Sequence, residues 1–250
     1  MVGLPVSQPD TSAWIFVSHS SGDLAAVRQV RNYLEEKGAA PVLFHLKALT
    51  DPEEFWPLIE REIMARNFFL YCESAAAERS RWVRREREAV QRAATTAPKR
   101  IGSIRVDQDE VDRNALDRFL SVTRIFPSFS RRDLATVEPF LSALRTAGFQ
   151  VFDELPVPPS TNYPEAIFDG LKEAARDGWV VIFVSGASVK SDWVRMELRA
   201  ATRLGARLIP VLIEPAELPI ELMGIQYLHA TQDPRGAAVR LVHELLRRAD

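Results

Sequence analysis

The sequence predicts an α/β protein made of two copies of one small three-layer domain, each a parallel sheet with helices on both faces. Three observations lead there. Short apolar runs alternate with amphipathic stretches, a block near the start recurs 110 residues later, and a glycine stands where the first helix of each copy must end. The chain has 250 residues, 46% hydrophobic and 26% charged, with 11 Gly and 16 Pro. That is the makeup of a soluble globular protein, too apolar for a disordered one. The length alone suits one large domain or two small ones.

The repeat decides for two. Ile15–Val27 aligns without gaps on Ile125–Val137 and is identical at 8 of 13 positions, an offset of 110 residues that Gly38 and Gly148 keep. Farther on, Ser80-Arg81-Trp82-Val83-Arg84-Arg85-Glu86 aligns on Ser191-Asp192-Trp193-Val194-Arg195-Met196-Glu197 at an offset of 111. Chance similarity rarely keeps nearly one offset over such a distance. The chain therefore reads as a tail over residues 1–12, a first domain over 13–122 and a second over 123–250.

In the first copy the strands are expected at Trp14–Val17, Val42–Phe44, Phe68–Cys72 and Ile101–Val106. Short apolar runs bounded by polar clusters suit strands buried on both faces. The second copy offers Arg124–Phe126, Gln150–Phe152, Trp179–Val184, Leu208–Ile213 and Gln226–Leu228. Between the first two of these, Leu134, Val137, Leu141 and Leu144 recur at helical spacing. Asp23 and Asp133 are expected as N-caps, and Gly38 and Gly148 as left-handed C-caps. The first copy passes from its fourth strand through Glu110–Ser121 almost directly into Arg124, so its fifth strand and last helix are expected to be missing.

Strands separated by helical crossovers give right-handed connections and a doubly wound, flavodoxin-like layer order. Ligands in such sheets sit at the carboxyl ends of the strands. The loops Ser18–Asp23 and Ser128–Asp133 are thereby placed at the mouth of any site, each ahead of a helix N-terminus that favours anions. The plain alternative is that these Ser and Asp residues only cap helices.

Lys+Arg number 32 and Asp+Glu 34, a net charge of -2, so no global positive field points to nucleic acid or an anionic membrane. The amino terminus lacks the basic and apolar stretches of a signal peptide, and no apolar run approaches the ~20 residues that span a bilayer. A cytoplasmic protein is expected. Cys72 stands alone in an aliphatic run, the setting of a buried thiol in a reducing compartment. Only Lys37, Lys47, Lys99, Lys172 and Lys190 are lysines, the bias of a GC-rich coding sequence and hence of a bacterial source.

Several chemistries lack their residues. His19, His45, His229 and His243 are scattered without HxxxH or HExxH spacing, so no metal and no resident cofactor are expected. Gly-x-Gly-x-x-Gly is absent, and Gly186–Ser191 only echoes a phosphate loop. There is no Gly-x-Ser-x-Gly elbow, and neither copy has the acidic residues of a phospho-acceptor receiver.

What recurs is Trp-x-x-x-Glu, as Trp82/Glu86 and Trp193/Glu197, on the helix after the third strand. Residues four apart share a helix face. An indole beside a carboxylate can stack on a base or ribose while the carboxylate faces a developing positive charge. The competing reading is a solvated glutamate among arginines, as in the i,i+4 pairs Arg84/Glu88 and Glu88/Arg92.

The order strand, Ser-x-Ser-x-x-Asp, helix, apolar third strand and Ser-x-Trp-Val-x-x-Glu resembles Toll/interleukin-1 receptor (TIR) domains, twice over nearly the whole chain. The second copy is the more typical, with Phe183-Val184-Ser185 ahead of Ser191–Glu197 and Arg207-Leu208-Ile209-Pro210-Val211-Leu212 after it. The resemblance implies scaffolding of immune signalling by self-association or with other TIR domains, cleavage of NAD+ at its nicotinamide–ribose bond, or both. It marks Glu197 and Glu86 as the catalytic positions. It sets Trp193, Trp82, Ser128, Ser130, Arg131, Arg132, Ser18, Ser20 and Ser185 around the substrate, with NAD+ as substrate and not as cofactor.

Nicotinamide is already a cationic leaving group, so an anion near the ribose suffices to stabilise an oxocarbenium-like state. Water would give ADP-ribose, and an internal nucleophile a cyclic product. The expectation is an NAD+ glycohydrolase or cyclase of bacterial, anti-phage immunity; the alternative is a non-enzymatic TIR–TIR module. The resemblance also implies that the loop after the second strand of one domain closes over the glutamate of a neighbour, here one supplied covalently. In the second copy that loop, Leu155–Asn162, carries three prolines.

Overall fold

A computed structural model describes residues 13–44, 52–108, 110–152 and 163–248. Two parallel sheets organise them. The first has the order β2-β1-β3-β4, from β1 (Ala13–Ser18), β2 (Ala39–Val42), β3 (Phe68–Glu73) and β4 (Arg100–Arg105). The second has the order β6-β5-β7-β8-β9, from β5 (Arg124–Ser128), β6 (Gln150–Val151), β7 (Trp179–Val184), β8 (Leu208–Leu212) and β9 (Leu228–His229). The fold class is as the sequence predicts. β2 starts ahead of the apolar run Val42–Phe44 because its pairing with β1 begins at Ala13 with Ala39, right after the Gly38 turn.

The crossovers of the first copy are α1 (Leu24–Glu36), α2 (Trp56–Ala65), a short α3 (Ala75–Arg79) and α4 (Arg81–Thr96), followed by α5 (Arg113–Ser121). Those of the second are α6 (Leu134–Thr146), α7 (Tyr163–Asp177), α8 (Gly186–Lys190) and α9 (Asp192–Arg203), followed by α10 (Pro234–Arg248). Side chains alternate through the sheets. Ile15, Val17, Phe68, Leu70 and Cys72 bury on the side of α1 and α5, whereas Phe16, Phe69 and Tyr71 bury with Ile59 of α2 and Val83 of α4. Burial on both faces is why these strands read as unbroken apolar runs. Cys72 lies within this layer, and burial pushes its thiol up to about 12.

Gly38 and Gly148 take φ of +78° and +84°, the left-handed conformation that ends α1 and α6. No strand is described between β4 and α5. α5 lies beside α1, and its Phe119 closes over Gly102 of β4 so tightly that a Cβ there would strike the ring. α10 holds the matching place beside α6. The last helix expected to be missing from the first copy is thus present, shortened to 9 residues against 15.

The copies join through the amino edges of their sheets. Asn67 Nδ2 donates to Ala147 O at 2.9 Å, and Gln150 Nε2 donates to Lys37 O at 3.1 Å. Phe68 and Phe149 meet edge to face at 5.2 Å, and Gly148 lies against the Trp14 backbone. Every one of these residues begins a strand or sits in the turn before one. The carboxyl edges lie at the other ends of the strands, a strand length of about 17–20 Å from this contact. No described helix is long and apolar enough to cross a membrane.

Candidate functional site

In each copy two serines set the helices that follow the third strand. Ser74 accepts from Ala77 N at 2.9 Å to start α3, and Ser80 accepts from Val83 N at 3.4 Å to start α4. Ser185 accepts from Ala187 N and Ser188 N at 3.1 and 2.9 Å to start α8, and Ser191 accepts from Val194 N at 3.3 Å to start α9. With their starts fixed this way, α4 and α9 turn their glutamates toward the sheet. Glu86 is 5% exposed and Glu197 2%. The reading of solvated surface glutamates fails for both.

Each carboxylate meets a serine at the end of the first strand of its copy. Ser18 Oγ donates to Glu86 Oε2 at 2.5 Å, and Ser128 Oγ donates to Glu197 Oε2 at 2.6 Å, with both serines fully buried. Burial pushes the Glu86 carboxyl up to about 7, and the Ser18 bond opposes that rise.

Ser20 and Ser130 do what the capping alternative says, accepting from Gly22 N at 3.2 Å and Arg132 N at 3.4 Å. Asp23 and Asp133 differ from the sequence reading. They occupy the N-cap positions of α1 and α6 without a side-chain cap bond. Their carboxylates instead accept from Ser74 Oγ at 2.5 Å and Ser185 Oγ at 2.6 Å.

Trp82 and Trp193 are both half-buried, but their surroundings differ. The Trp82 ring lies 6.1 Å from Trp56, and the Arg85 guanidinium stacks 3.9 Å over Trp56 and 5.5 Å from Trp82. Glu53 clasps Arg85 at 2.7 Å and Arg81 at 3.1 Å. The sequence reading passed over Glu53, Trp56 and Arg85, whose clustering joins α4 to the start of α2. In the second copy Asp192 and Met196 stand where Arg81 and Arg85 do, so that clasp is not repeated.

Arg131 and Arg132 are exposed on the short turn Arg131–Asp133 that leaves β5. The loops after β2 and β6, with the proline-bearing Leu155–Asn162, lie outside the described residues. A cleft of about 700 Å³ lined by Lys37, Asp117, Arg124 and Lys172 lies at the junction of the copies, away from both glutamates. Among the described residues no group of three or more His, Cys, Asp or Glu is arranged to hold a metal ion.

A hydroxyl-bound glutamate at the carboxyl edge, one turn after a half-buried tryptophan, thus occurs twice. A family model described as the TIR domain matches residues 15–123 and again 125–246. The chain belongs to the TIR domain family. Among solved structures, it is similar to the TIR domain of the Toll-related receptor TRR-2 from the lower metazoan Hydra magnipapillata. That similarity has 20% identity and a TM-score of 0.41, over 50% of this chain and 98% of that one. No curated protein matches the chain. In these TIR copies the site residues Ser18 and Glu86 come together, as do Ser128 and Glu197. Ser20, Ser130 and Ser185 serve as caps at the same edge, and Ser185 is fully buried.

Proposed function

We propose that this tandem TIR chain cleaves NAD+ at the nicotinamide–ribose bond, with Glu197 as the reactive carboxylate and Trp193 beside the substrate. The observation that carries the reading is the pairing of a desolvated carboxylate with a half-buried indole one turn away, at the carboxyl edge where doubly wound sheets take ligands. In the reaction the C–N bond breaks with its electron pair leaving on nicotinamide. Water adds to the ribose carbon, so the products are nicotinamide, ADP-ribose and a proton; an internal nucleophile in place of water gives a cyclic product. A carboxylate in a site of low polarity stabilises the positive charge developing on the ribose more than it would in water.

The second copy is favoured over the first because it keeps the fuller set of family motifs, with Phe183-Val184-Ser185 ahead of Ser191–Glu197 and Arg207–Leu212 after it. Following the resemblance, we place the activity in bacterial immune signalling, in the cytoplasm, with self-association through TIR surfaces.

Near-complete burial of both carboxylates favours a second reading, a TIR scaffold without turnover. Incubation of the purified chain with NAD+ and chromatography for nicotinamide separates the two. Release that Glu197→Gln abolishes supports the enzyme; no release from the assembled protein at any concentration of NAD+ leaves the scaffold.

A further inference from the structure

Two kinds of hydroxyl–carboxylate bond brace the carboxyl edge of each sheet, and they run in opposite directions. From the end of the first strand, a serine donates outward to the glutamate, as Ser18 to Glu86 and Ser128 to Glu197. Back to the loop that follows that strand, a serine after the third strand donates to the aspartate, as Ser74 to Asp23 and Ser185 to Asp133. All eight residues keep the repeat offset, 110 for the loop members and 111 for those after the third strand. Their neighbours do not: His19 faces Phe129 across the repeat, Ser21-Gly22 faces Arg131-Arg132, and Arg85 faces Met196.

Resting on the reading of Glu197 as the reactive carboxylate, we infer that Ser18 and Ser128 are positioning residues, which hold the glutamates and take no part in binding a ligand. A hydroxyl has one proton, and here it is given to a carboxylate oxygen at 2.5–2.6 Å, the length of a charge-assisted bond. Both serines are fully buried, and each commits its one proton to its carboxylate. The aspartate brace fixes the loop that follows the serine, and the serine fixes the carboxylate.

The bond also decides the charge of the glutamate. Desolvation alone drives a buried carboxyl toward its neutral form, and a donor to the ionised form is what opposes it. Only the ionised form stabilises a cationic transition state, so the serine keeps the carboxylate usable as well as oriented. Of the two braces only this one touches the glutamate. The Ser–Asp pair carries helix starts: Ser185 closes a capping box with Ser188, and Ser74 caps α3.

The test combines carbon-13 carboxyl titration with NAD+ cleavage on the full chain, in Ser18→Ala, Ser128→Ala and Ser128→Thr; Glu86→Gln and Glu197→Gln assign the two signals. Removing a serine is expected to raise the titration midpoint of its own glutamate by about one pH unit and leave the other unmoved. Ser128→Ala is expected to lower kcat by about 10–100-fold with KM within about twofold, and threonine to restore it. Where alanine unfolds the chain, Ser128→Cys supplies a side chain of like size and weaker donation, with the same expected direction. A midpoint that stays put on loss of the hydroxyl overturns the inference, as does a rise in KM alone, which would make Ser128 a ligand contact. Full activity in Glu197→Gln would sink the reading of the active carboxylate instead, and the titration would still decide whether the serine holds it.

Discussion

Glu86→Gln turns the burial of a carboxyl into a measurable stability. The side chain keeps its size, and the amide oxygen still accepts from Ser18 Oγ, so the charge is the main change. In the folded chain the carboxyl titrates at about 7, against 4.5 for an ordinary one. Between those two values the folded chain holds a proton that the unfolded chain has lost, so stability falls as pH rises through the window and levels off above it. At 1.36 kcal/mol for each pH unit the whole fall is about 3 kcal/mol. Glutamine has no such fall. Urea unfolding followed by tryptophan fluorescence at pH 4.5 and pH 8 should therefore show the variant gaining about 2–3 kcal/mol on the wild type between the two. All other titrations are common to both proteins and cancel in the difference. Stability curves that stay parallel to within about 0.5 kcal/mol would refute the reasoning, because Glu86 would then titrate alike in the folded and unfolded chain.

Four further outcomes are expected. In nicotinamide release, Glu197→Gln should lose at least about 100-fold and Glu86→Gln less than about threefold; the opposite order would assign turnover to the first copy. Cys72 should not react with a thiol reagent in the folded chain and should react fully in denaturant, since its thiol is buried and pushed up to about 12. Gly148→Ala should destabilise by about 2 kcal/mol and Gly205→Ala by about 1, in urea unfolding; both glycines have positive φ, but only at Gly148 would the new methyl press on the Trp14 backbone. Arg85→Met, copying Met196, should increase quenching of tryptophan fluorescence by acrylamide, because the guanidinium no longer covers Trp56 and Trp82.

Much of the fold was legible because it rests on local signals. Runs such as Phe68–Cys72 and Trp179–Val184 are buried on both faces, and a residue of either parity must then be apolar. Gly38 and Gly148 mark helix ends through a conformation that other residues avoid. The Ser–Glu pairs were harder to read, since their members lie 68 and 69 residues apart and each residue alone looks like a cap or a surface charge. One signal was available: serine and glutamate keep the repeat offset while His19 and Arg85 do not. Asp23 and Asp133 misled for the same reason, because a local N-cap and a distant hydroxyl compete for one carboxylate and only the tertiary fold supplies the second. The splitting of each third-strand helix at Ser80 and Ser191 follows from caps whose effect depends on the chain direction after β3 and β7.

The joining of the copies bears most on how the site can work. A tether raises effective concentration only for faces it allows to meet. Here the tether brings together Asn67 with Ala147, Lys37 with Gln150 and Phe68 with Phe149, all at amino edges. Glu86 and Glu197 lie at the carboxyl edges, away from this contact. What the covalent partner does supply is cover. Among the described residues the first copy has four strands and a 9-residue last helix, and Phe68 at its amino edge is buried against Phe149 of the second copy. A domain short of surface to bury gains stability from a fused neighbour, here at the amino edge and away from Glu86 and Glu197.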